Sequence, residues 1–302
     1  MYKVEPRWDS HAESVHVEWN LGKRCNFDCT YCPAEIHDNF SPHTNIKVLT
    51  DAVDALAEIG KPVRLSFTGG EPCVHPDIKE LLEHASQRVD WINITTNATL
   101  PPNFYSNLNV NHYVFSLHFE EDEHWRRCID TVVAFSQLNE ADQNIPFQVN
   151  IMAHHEHMDR VKMATNLFDG HNVPYVIRRI RWTEAENRDW FDDMKYNERD
   201  LQWILSKDST AKENCVVDDK DLYHANDIIK KKMNNFKGWK CSAGIESLMI
   251  NWDGEVHRAT CRVGGSLGNI YNGSFEEPEQ EIICTRQWCT CAADIPLTKI
   301  SI

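Results

Sequence analysis

Apolar side chains in the first 180 residues recur with two alternating periods. Val15, Val17 and Trp19 fall at every second position between Ser14 and Leu21, the spacing of a strand. Five further runs read the same way: Val63–Thr68, which ends in Gly69-Gly70; Trp91–Thr95, which ends at Thr96-Asn97; Tyr113–Leu117; Phe147–Met152; and Tyr175–Ile180. Between them the spacing changes to three and four. Ile46, Leu49, Val53 and Leu56 form a helical stripe closed by Gly60, and Ile78, Leu81, Leu82 and Ala85 form a second, begun near Pro76. Trp125, Ile129, Val132 and Val133 mark a third helix, and Met158, Val161, Ala164, Leu167 and Phe168 a fourth, followed by Gly170. Alternation of this kind predicts an α/β fold with a parallel sheet and helices outside it, either a partial (β/α)6 barrel of the TIM type or an open curved sheet. In either case ligands bind at the C-terminal ends of the strands.

Beyond residue 180 the pattern breaks. Residues 181–240 are polar, Trp-rich and helical in patches, as around Leu201, Ile204 and Leu205, and read as a connecting or substrate-facing region. Residues 241–302 are rich in Gly and Cys, with a hairpin expected where Leu248-Met249-Ile250 and Glu255-Val256-His257 flank Asp253-Gly254. The expected organisation is a core over 14–180, a connector over 181–240 and a small cysteine-rich subdomain over 241–302.

Composition narrows the function classes. The chain has 302 residues, 41% of them hydrophobic, enough for a sizeable core. A net charge of −15 disfavours nucleic acid as a partner. No apolar run approaches a membrane span and the N-terminus lacks a signal-peptide core, so a cytoplasmic location is expected. In that compartment eleven cysteines point to metal, cluster or redox chemistry rather than disulfides. Cys73, Cys128 and Cys215 stand alone and read as small buried hydrophobes.

The remaining cysteines are grouped. Cys25-Asn26-Phe27-Asp28-Cys29-Thr30-Tyr31-Cys32 places three thiols on one short segment after the first predicted strand. Three thiolates so spaced fit one corner of a [4Fe–4S] cube and leave one iron open. Zinc is the alternative on spacing alone, with His37 or His43 as a fourth ligand. This segment resembles the signature of the radical SAM superfamily. The resemblance implies that the open iron binds S-adenosylmethionine (SAM), whose reductive cleavage gives a 5′-deoxyadenosyl radical, and that Tyr31 lies by the adenine. Gly69-Gly70-Glu71-Pro72 resembles the family's Gly-Gly-Glu-Pro element, implying that Gly69, Gly70 and Glu71 engage the methionine ammonium; a carboxylate is a sensible partner for that group. The same resemblance implies SAM contacts from Thr95, Thr96 and Asn97, from Ser116, His118 and Asn150, and from Arg178 and Ile180.

The tail, with Cys241, Cys261, Cys284, Cys289 and Cys291, is similar to the SPASM and twitch extensions of that superfamily. Six residues separate Gly254 from Cys261, slightly more than usual there. The resemblance implies one auxiliary [4Fe–4S] cluster held by Cys241, Cys261 and two of Cys284, Cys289 and Cys291, with zinc as the alternative. Metal would also staple a subdomain with little apolar core.

The expected function is a radical SAM oxidoreductase that abstracts a substrate hydrogen, for oxidation, crosslinking or epimerisation of a peptide or amino-acid-like substrate. A reductant such as flavodoxin or ferredoxin would serve it. A sugar, nucleoside or other small metabolite is the second substrate class. A non-catalytic iron–sulfur or zinc protein is the reading from another class, and Gly69-Gly70-Glu71-Pro72 weighs against it. About 13 residues precede the first predicted strand, so a peptide is expected to bind without an N-terminal recognition domain. The basic, aromatic stretch Arg178, Arg179, Arg181, Trp182, Arg188 and Trp190 either grips a substrate anion or forms a solvated face paired with Glu184, Glu186 and Asp189.

Overall fold

A computed structural model describes residues 2–120, 122–142, 144–180 and 195–302. In chain order the strands and helices are β1 (Lys3–Pro6), α1 (Asp9–Ala12), β2 (Val15–Asn20), α2 (Ile46–Ala57), β3 (Val63–Thr68), α3 (Ile78–Ser86), β4 (Trp91–Thr96), α4 (Pro102–Tyr105), β5 (His112–Leu117), α5 (His124–Asp142), β6 (Phe147–Ala153), α6 (Met158–Gly170) and β7 (Tyr175–Arg179). There follow α7 (Glu198–Ser206), β8 (Cys215–Val217), β9 (Asp221–Tyr223), α8 (Ala225–Lys230), β10 (Lys240–Cys241), β11 (Ser247–Ile250), β12 (Glu255–His257), β13 (Ser266–Asn269), β14 (Ile282–Ile283) and β15 (Lys299–Ile300).

Strands β2 to β7 lie in sequence order and pair in parallel throughout, the expected partial (β/α)6 barrel. Alternation along each strand has a particular meaning here, because both faces are covered. Val17, Trp19, Leu65, Phe67, Ile94, Val149 and Ile151 are fully buried beneath the helices. The intervening positions line the barrel lumen and are mostly polar: His16, Glu18 and Asn20 on β2, Arg64 and Ser66 on β3, Asn93 and Thr95 on β4, Gln148 and Asn150 on β6. Outside the sheet, Phe135 of α5 meets Tyr113, Phe115 and Phe147 at centroid distances of 5.2, 5.1 and 5.4 Å, each roughly edge-on. Such pairs contribute about 0.5–1.5 kcal/mol each beyond area burial and fix α5 against β5 and β6.

The predicted hairpin is present as β11 and β12, but its place in the fold is not local. β11 pairs in parallel with β2, Ser247 opposite His16 and Ile250 opposite Trp19, so the tail extends the barrel sheet to the order β13-β12-β11-β2-β3-β4-β5-β6-β7. A second sheet, β14-β10-β15-β1-β8-β9, joins the chain's first strand to its last. Its core contains Val4, Cys215, Ile228, Ile229, Phe236, Cys241, Cys284, Cys289, Ile295 and Leu297. From the connector, α7 packs on the barrel through Ile204, while β8, β9 and α8 pack on this second core. Among the described residues no helix is long and apolar enough to cross a membrane.

Candidate active site

The loop from β2 to α2 carries Cys25, Cys29 and Cys32 over the C-terminal ends of the strands, and backbone bonds hold it there. Leu21 N donates to Thr68 O (2.8 Å), Gly70 N to Gly22 O (2.8 Å) and Glu71 N to Arg24 O (2.9 Å). This explains the two glycines. A Cβ on Gly69 would lie 2.6 Å from Gly22 O, and one on Gly70 would lie 2.2 Å from Arg24 O. What demands glycine at both positions is therefore the cysteine loop itself, packed backbone to backbone.

Across the loop, Cys25 N donates to Asp38 O (2.7 Å) and Asp38 N to Lys23 O (2.9 Å). The Asp38 carboxylate accepts from Ser41 N (2.8 Å) and Ser41 Oγ (2.6 Å) and pairs with Lys23 Nζ at 3.3 Å. Burial acts to raise its pKa, but these bonds outweigh it and hold the carboxyl at about 2. His37 Nε2 donates to Phe27 O (2.7 Å) inside the same loop, and His43 packs against the ring of His75 at 4.8 Å. Both histidines suggested as zinc ligands thus have other partners.

Glu71 is buried and locks the end of β4 to the loop. Its Oε1 accepts from Cys73 N (2.9 Å) and Thr96 Oγ1 (2.7 Å), and its Oε2 accepts from Asn97 N (2.6 Å). Burial pushes its pKa up against these donors. Asn97 Nδ2 in turn donates to Asn26 Oδ1 (2.7 Å), a residue between the first two cysteines. Tyr31 hydrogen-bonds His118 Nδ1 through its hydroxyl and stacks on that ring, 14° from parallel. His118 Nδ1 also lies 3.6 Å from Cys29 Sγ. Burial lowers the His118 pKa to about 4, so the imidazole is neutral at pH 7. The thiols of Cys25 and Cys29 are pushed up by burial, Cys25 to about 11 and Cys29 further, so metal or cluster binding there must displace protons.

A cavity of about 980 Å³ runs from these cysteines down the lumen. Tyr31, Gly69, Gly70, Glu71, Thr95, Asn97, Ser116, Asn150 and Arg178, the residues expected from the sequence to contact SAM, all lie on its wall, as do Cys25, Cys29 and Cys32. Local pattern does not mark Thr30, Glu120 and His154, where the Glu120 carboxylate accepts from Thr30 N (2.9 Å) and His154 Nε2 (3.1 Å). Nor does it mark Asn26 or Asp38, which are ordinary loop residues until their partners are known. Of the basic stretch after the sixth predicted strand, Arg178 and Arg179 line the cavity, whereas Arg181, Trp182, Arg188 and Trp190 lie outside the described residues.

The tail cysteines divide into a group and an outlier. Cys241, Cys284 and Cys289 belong to the second core with Cys261 packed against it, and the charges of Cys241 and Cys284 both bear on Cys261. Burial pushes up the thiols of Cys284, Cys289 and Cys261, the last to about 12. Cys291 instead lies on the lumen wall, hydrogen-bonded to Thr260 Oγ1 at 3.4 Å. Lys299 stands opposite Cys241 in the β10–β15 pairing and is fully buried. Its ammonium donates to the carbonyls of Asp294 (2.5 Å), Ile295 (3.1 Å) and Leu297 (3.1 Å). Burial acts to lower the Lys299 pKa, but the neighbouring thiol and carboxyl groups raise it, which keeps a positive charge beside the cysteines.

Spacing bears on the metal. Among the described residues, the His, Cys, Asp and Glu groups with three ligand atoms all within 4.8 Å of one another are limited to His154, Glu156 and His157. There His154 is already engaged, its Nδ1 accepting from Glu156 N at 3.3 Å and its Nε2 bonded to Glu120. Among the described residues no group of this kind contains three cysteines.

Comparison with known proteins agrees with this geometry. The family described as the Radical SAM superfamily matches residues 19–167. The antilisterial bacteriocin subtilosin biosynthesis protein AlbA of Bacillus subtilis is 23% identical over 291 residues, covering 91% of this chain and 61% of AlbA. The GTP 3′,8-cyclase of Paracoccus denitrificans is 29% identical over 220 residues, covering 67% of this chain and 60% of the cyclase. The chain thus spans about three-fifths of the length of each of these two relatives. The structure of anSMEcpe with bound AdoMet and Kp18Cys peptide superposes with a TM-score of 0.56 at 14% identity, covering 87% of this chain and 79% of that one, a likeness of fold. With the cysteine loop, the Gly-Gly-Glu-Pro turn and the parallel barrel in place, residues 19–167 form a domain of the radical SAM superfamily, whose cofactors are a [4Fe–4S] cluster and SAM.

Proposed function

We propose that this protein is a radical SAM oxidoreductase acting on a peptide or amino-acid-like substrate. The observation that carries the reading is the single cavity that joins the cysteine loop to the polar lumen and to the tail's Cys291. In this reading Cys25, Cys29 and Cys32 hold the [4Fe–4S] cluster. When bound, the cluster supplies the electron that cleaves SAM, and SAM supplies the group that abstracts hydrogen. The protein's own part is positional. Glu71, tied to Thr96 and Asn97, keeps a buried carboxylate beside the glycine turn, where an ammonium is favoured. Tyr31, braced by His118, offers an aromatic face for a base; Thr95, Asn97, Ser116, Asn150 and Arg178 supply polar contacts along the wall. The lumen and the tail limit access of water to the reacting centre.

Cys241, Cys261, Cys284 and Cys289 are the quartet for an auxiliary [4Fe–4S] cluster, with Lys299 as its buried counter-charge and Cys291 left to the lumen. The working organisation is a core over 14–180, a connector over 181–240 and an auxiliary-cluster segment over 241–302, served by a flavodoxin- or ferredoxin-type reductant. The peptide reading draws on AlbA, whose name is that of a bacteriocin biosynthesis protein, and on the peptide bound to anSMEcpe. The cyclase similarity favours a nucleoside-like substrate as the second reading.

The test is anaerobic reconstitution followed by dithionite and SAM, with 5′-deoxyadenosine measured by chromatography and candidate peptides followed by mass spectrometry. Product formation with loss of hydrogen mass from a peptide supports the proposal. A filled cluster that neither binds nor cleaves SAM, with or without candidate substrates, overturns it.

A further inference from the structure

The lower end of the lumen, at the N-terminal ends of the strands, holds a cation remote from the cysteine loop. Arg64 projects inward from the start of β3, and its guanidinium carbon stands 4.1 Å from the centroid of the Trp91 ring on the neighbouring strand. Stacking by its face leaves the in-plane N–H donors of a guanidinium pointing outward along its edges. Among the described residues no carboxylate oxygen lies within ion-pair distance of Arg64. Asp90, whose charge bears on it, has its Oδ2 committed to Val63 N at 2.8 Å. Glu18, one level up on β2, lies 3.5 Å from His16.

The surroundings suit an anion. His11 and His112 are held neutral, both lowered to about 4 by burial and then by the charge of Arg64. His112 Nδ1 donates to Asn93 Oδ1 (2.8 Å) and Asn93 Nδ2 to Ser66 Oγ (2.7 Å), which leaves the Ser66 hydroxyl as a donor on the wall above Arg64. A half-buried guanidinium without a carboxylate within ion-pair distance is unusual in a chain of net charge −15; burial lowers its pKa, and the charge of Asp90 offsets this only in part.

We infer that Arg64, seated on Trp91, is an oxyanion-binding subsite for the substrate at the end of the lumen opposite the cysteine loop, taking a carboxylate or a phosphoryl group. This rests on the function proposed above and names the chemistry of its substrate. It also sets a length. At about 3.3 Å per residue, Arg64 lies about 13 Å along β3 from Thr68 at the rim. An extended peptide covers that distance in about four residues, so the reacting position lies within roughly four residues of the anionic group.

The test uses the reconstituted holoprotein and two probes, succinate and inorganic diphosphate, titrated calorimetrically at low salt. Binding of succinate identifies a carboxylate subsite and binding of diphosphate a phosphoryl one. In either case Arg64→Gln weakens binding about tenfold or more, the loss of charged hydrogen bonds. Arg64→Lys, which keeps the charge without the fork, falls between. Thermal unfolding and iron content are compared for each variant, and Arg64→Lys carries the test if Arg64→Gln does not fold. Absence of binding by either probe to the wild type, or equal binding by wild type and Arg64→Gln, overturns the subsite. Failure of the wild type to cleave SAM instead overturns the function reading, and is measured separately on the same preparation.

Discussion

The two cysteine groups are built in opposite ways. The first draws three thiols from eight consecutive residues, over the strand ends, on a loop pinned by its own backbone to Gly22, Arg24 and the glycine turn. It opens onto the cavity. The second gathers cysteines from β10, from the turn after β12 and from the chain's last 20 residues, and packs them in an apolar core around a buried ammonium. An open group with three protein ligands leaves a coordination position for a small molecule, whereas a closed group with four does not. On the function proposed above, the difference teaches that the first region serves chemistry and the second holds charge and structure.

Four predictions press on that contrast. The largest effect is expected from Cys29→Ala, which reduces 5′-deoxyadenosine formation to the level without enzyme, while Cys241→Ala removes iron from the tail and leaves the iron of the rim. Equal loss of SAM cleavage in both variants, with rim iron intact in the second, would erase the distinction. Lys299→Met comes next. It strips the donor from three buried carbonyls and the counter-charge from the tail group, and is expected to cost on the order of 3 kcal/mol, read as a lower unfolding midpoint together with selective loss of tail iron. An unchanged midpoint would mean that Lys299 is not the brace described.

Gly70→Ala should act on the other region alone. Its Cβ would meet Arg24 O at 2.2 Å, so the cysteine loop must shift, at about 1–3 kcal/mol, and SAM binding should weaken while tail iron stays constant. The smallest effect concerns Asp38. Its folded pKa of about 2 lies below the ordinary 3.8, so its contribution to stability is fully present above 3.8 and lost as the pH falls through about 2. The stability gap between wild type and Asp38→Asn in denaturant titrations should therefore hold from neutral pH down to that range and close below it. A gap that instead grows with acid would contradict the assignment.

Legibility in the sequence followed the same divide. The barrel strands announced themselves by alternation, because one face meets helices and the other a polar lumen, and the rim cysteines were readable because their ligand set is local. The tail was not. The quartet proposed for it depends on β10 pairing with β15 and on β11 lying beside β2, contacts between residues more than 50 apart. Strand β1, four residues long, gains its identity only from β15 and β8. Local spacing could not separate Cys291 from Cys289, two positions away; the structure sends one to the lumen and the other to the core. Arg64 lies within the predicted strand Val63–Thr68, and nothing local to that run marks it; its stacking on Trp91 comes from the neighbouring strand.

The most direct measurement is an iron and sulfide count on anaerobically reconstituted protein: wild type, the Cys25, Cys29 and Cys32 triple alanine variant, and the Cys241→Ala, Cys261→Ala double variant. The account predicts about eight irons per chain in the wild type and about four in each variant, with 5′-deoxyadenosine formed when the rim group is intact. A wild type with about four irons, unchanged by the tail substitutions, would contradict a second cluster, and a rim variant that still cleaves SAM would contradict the division of labour itself.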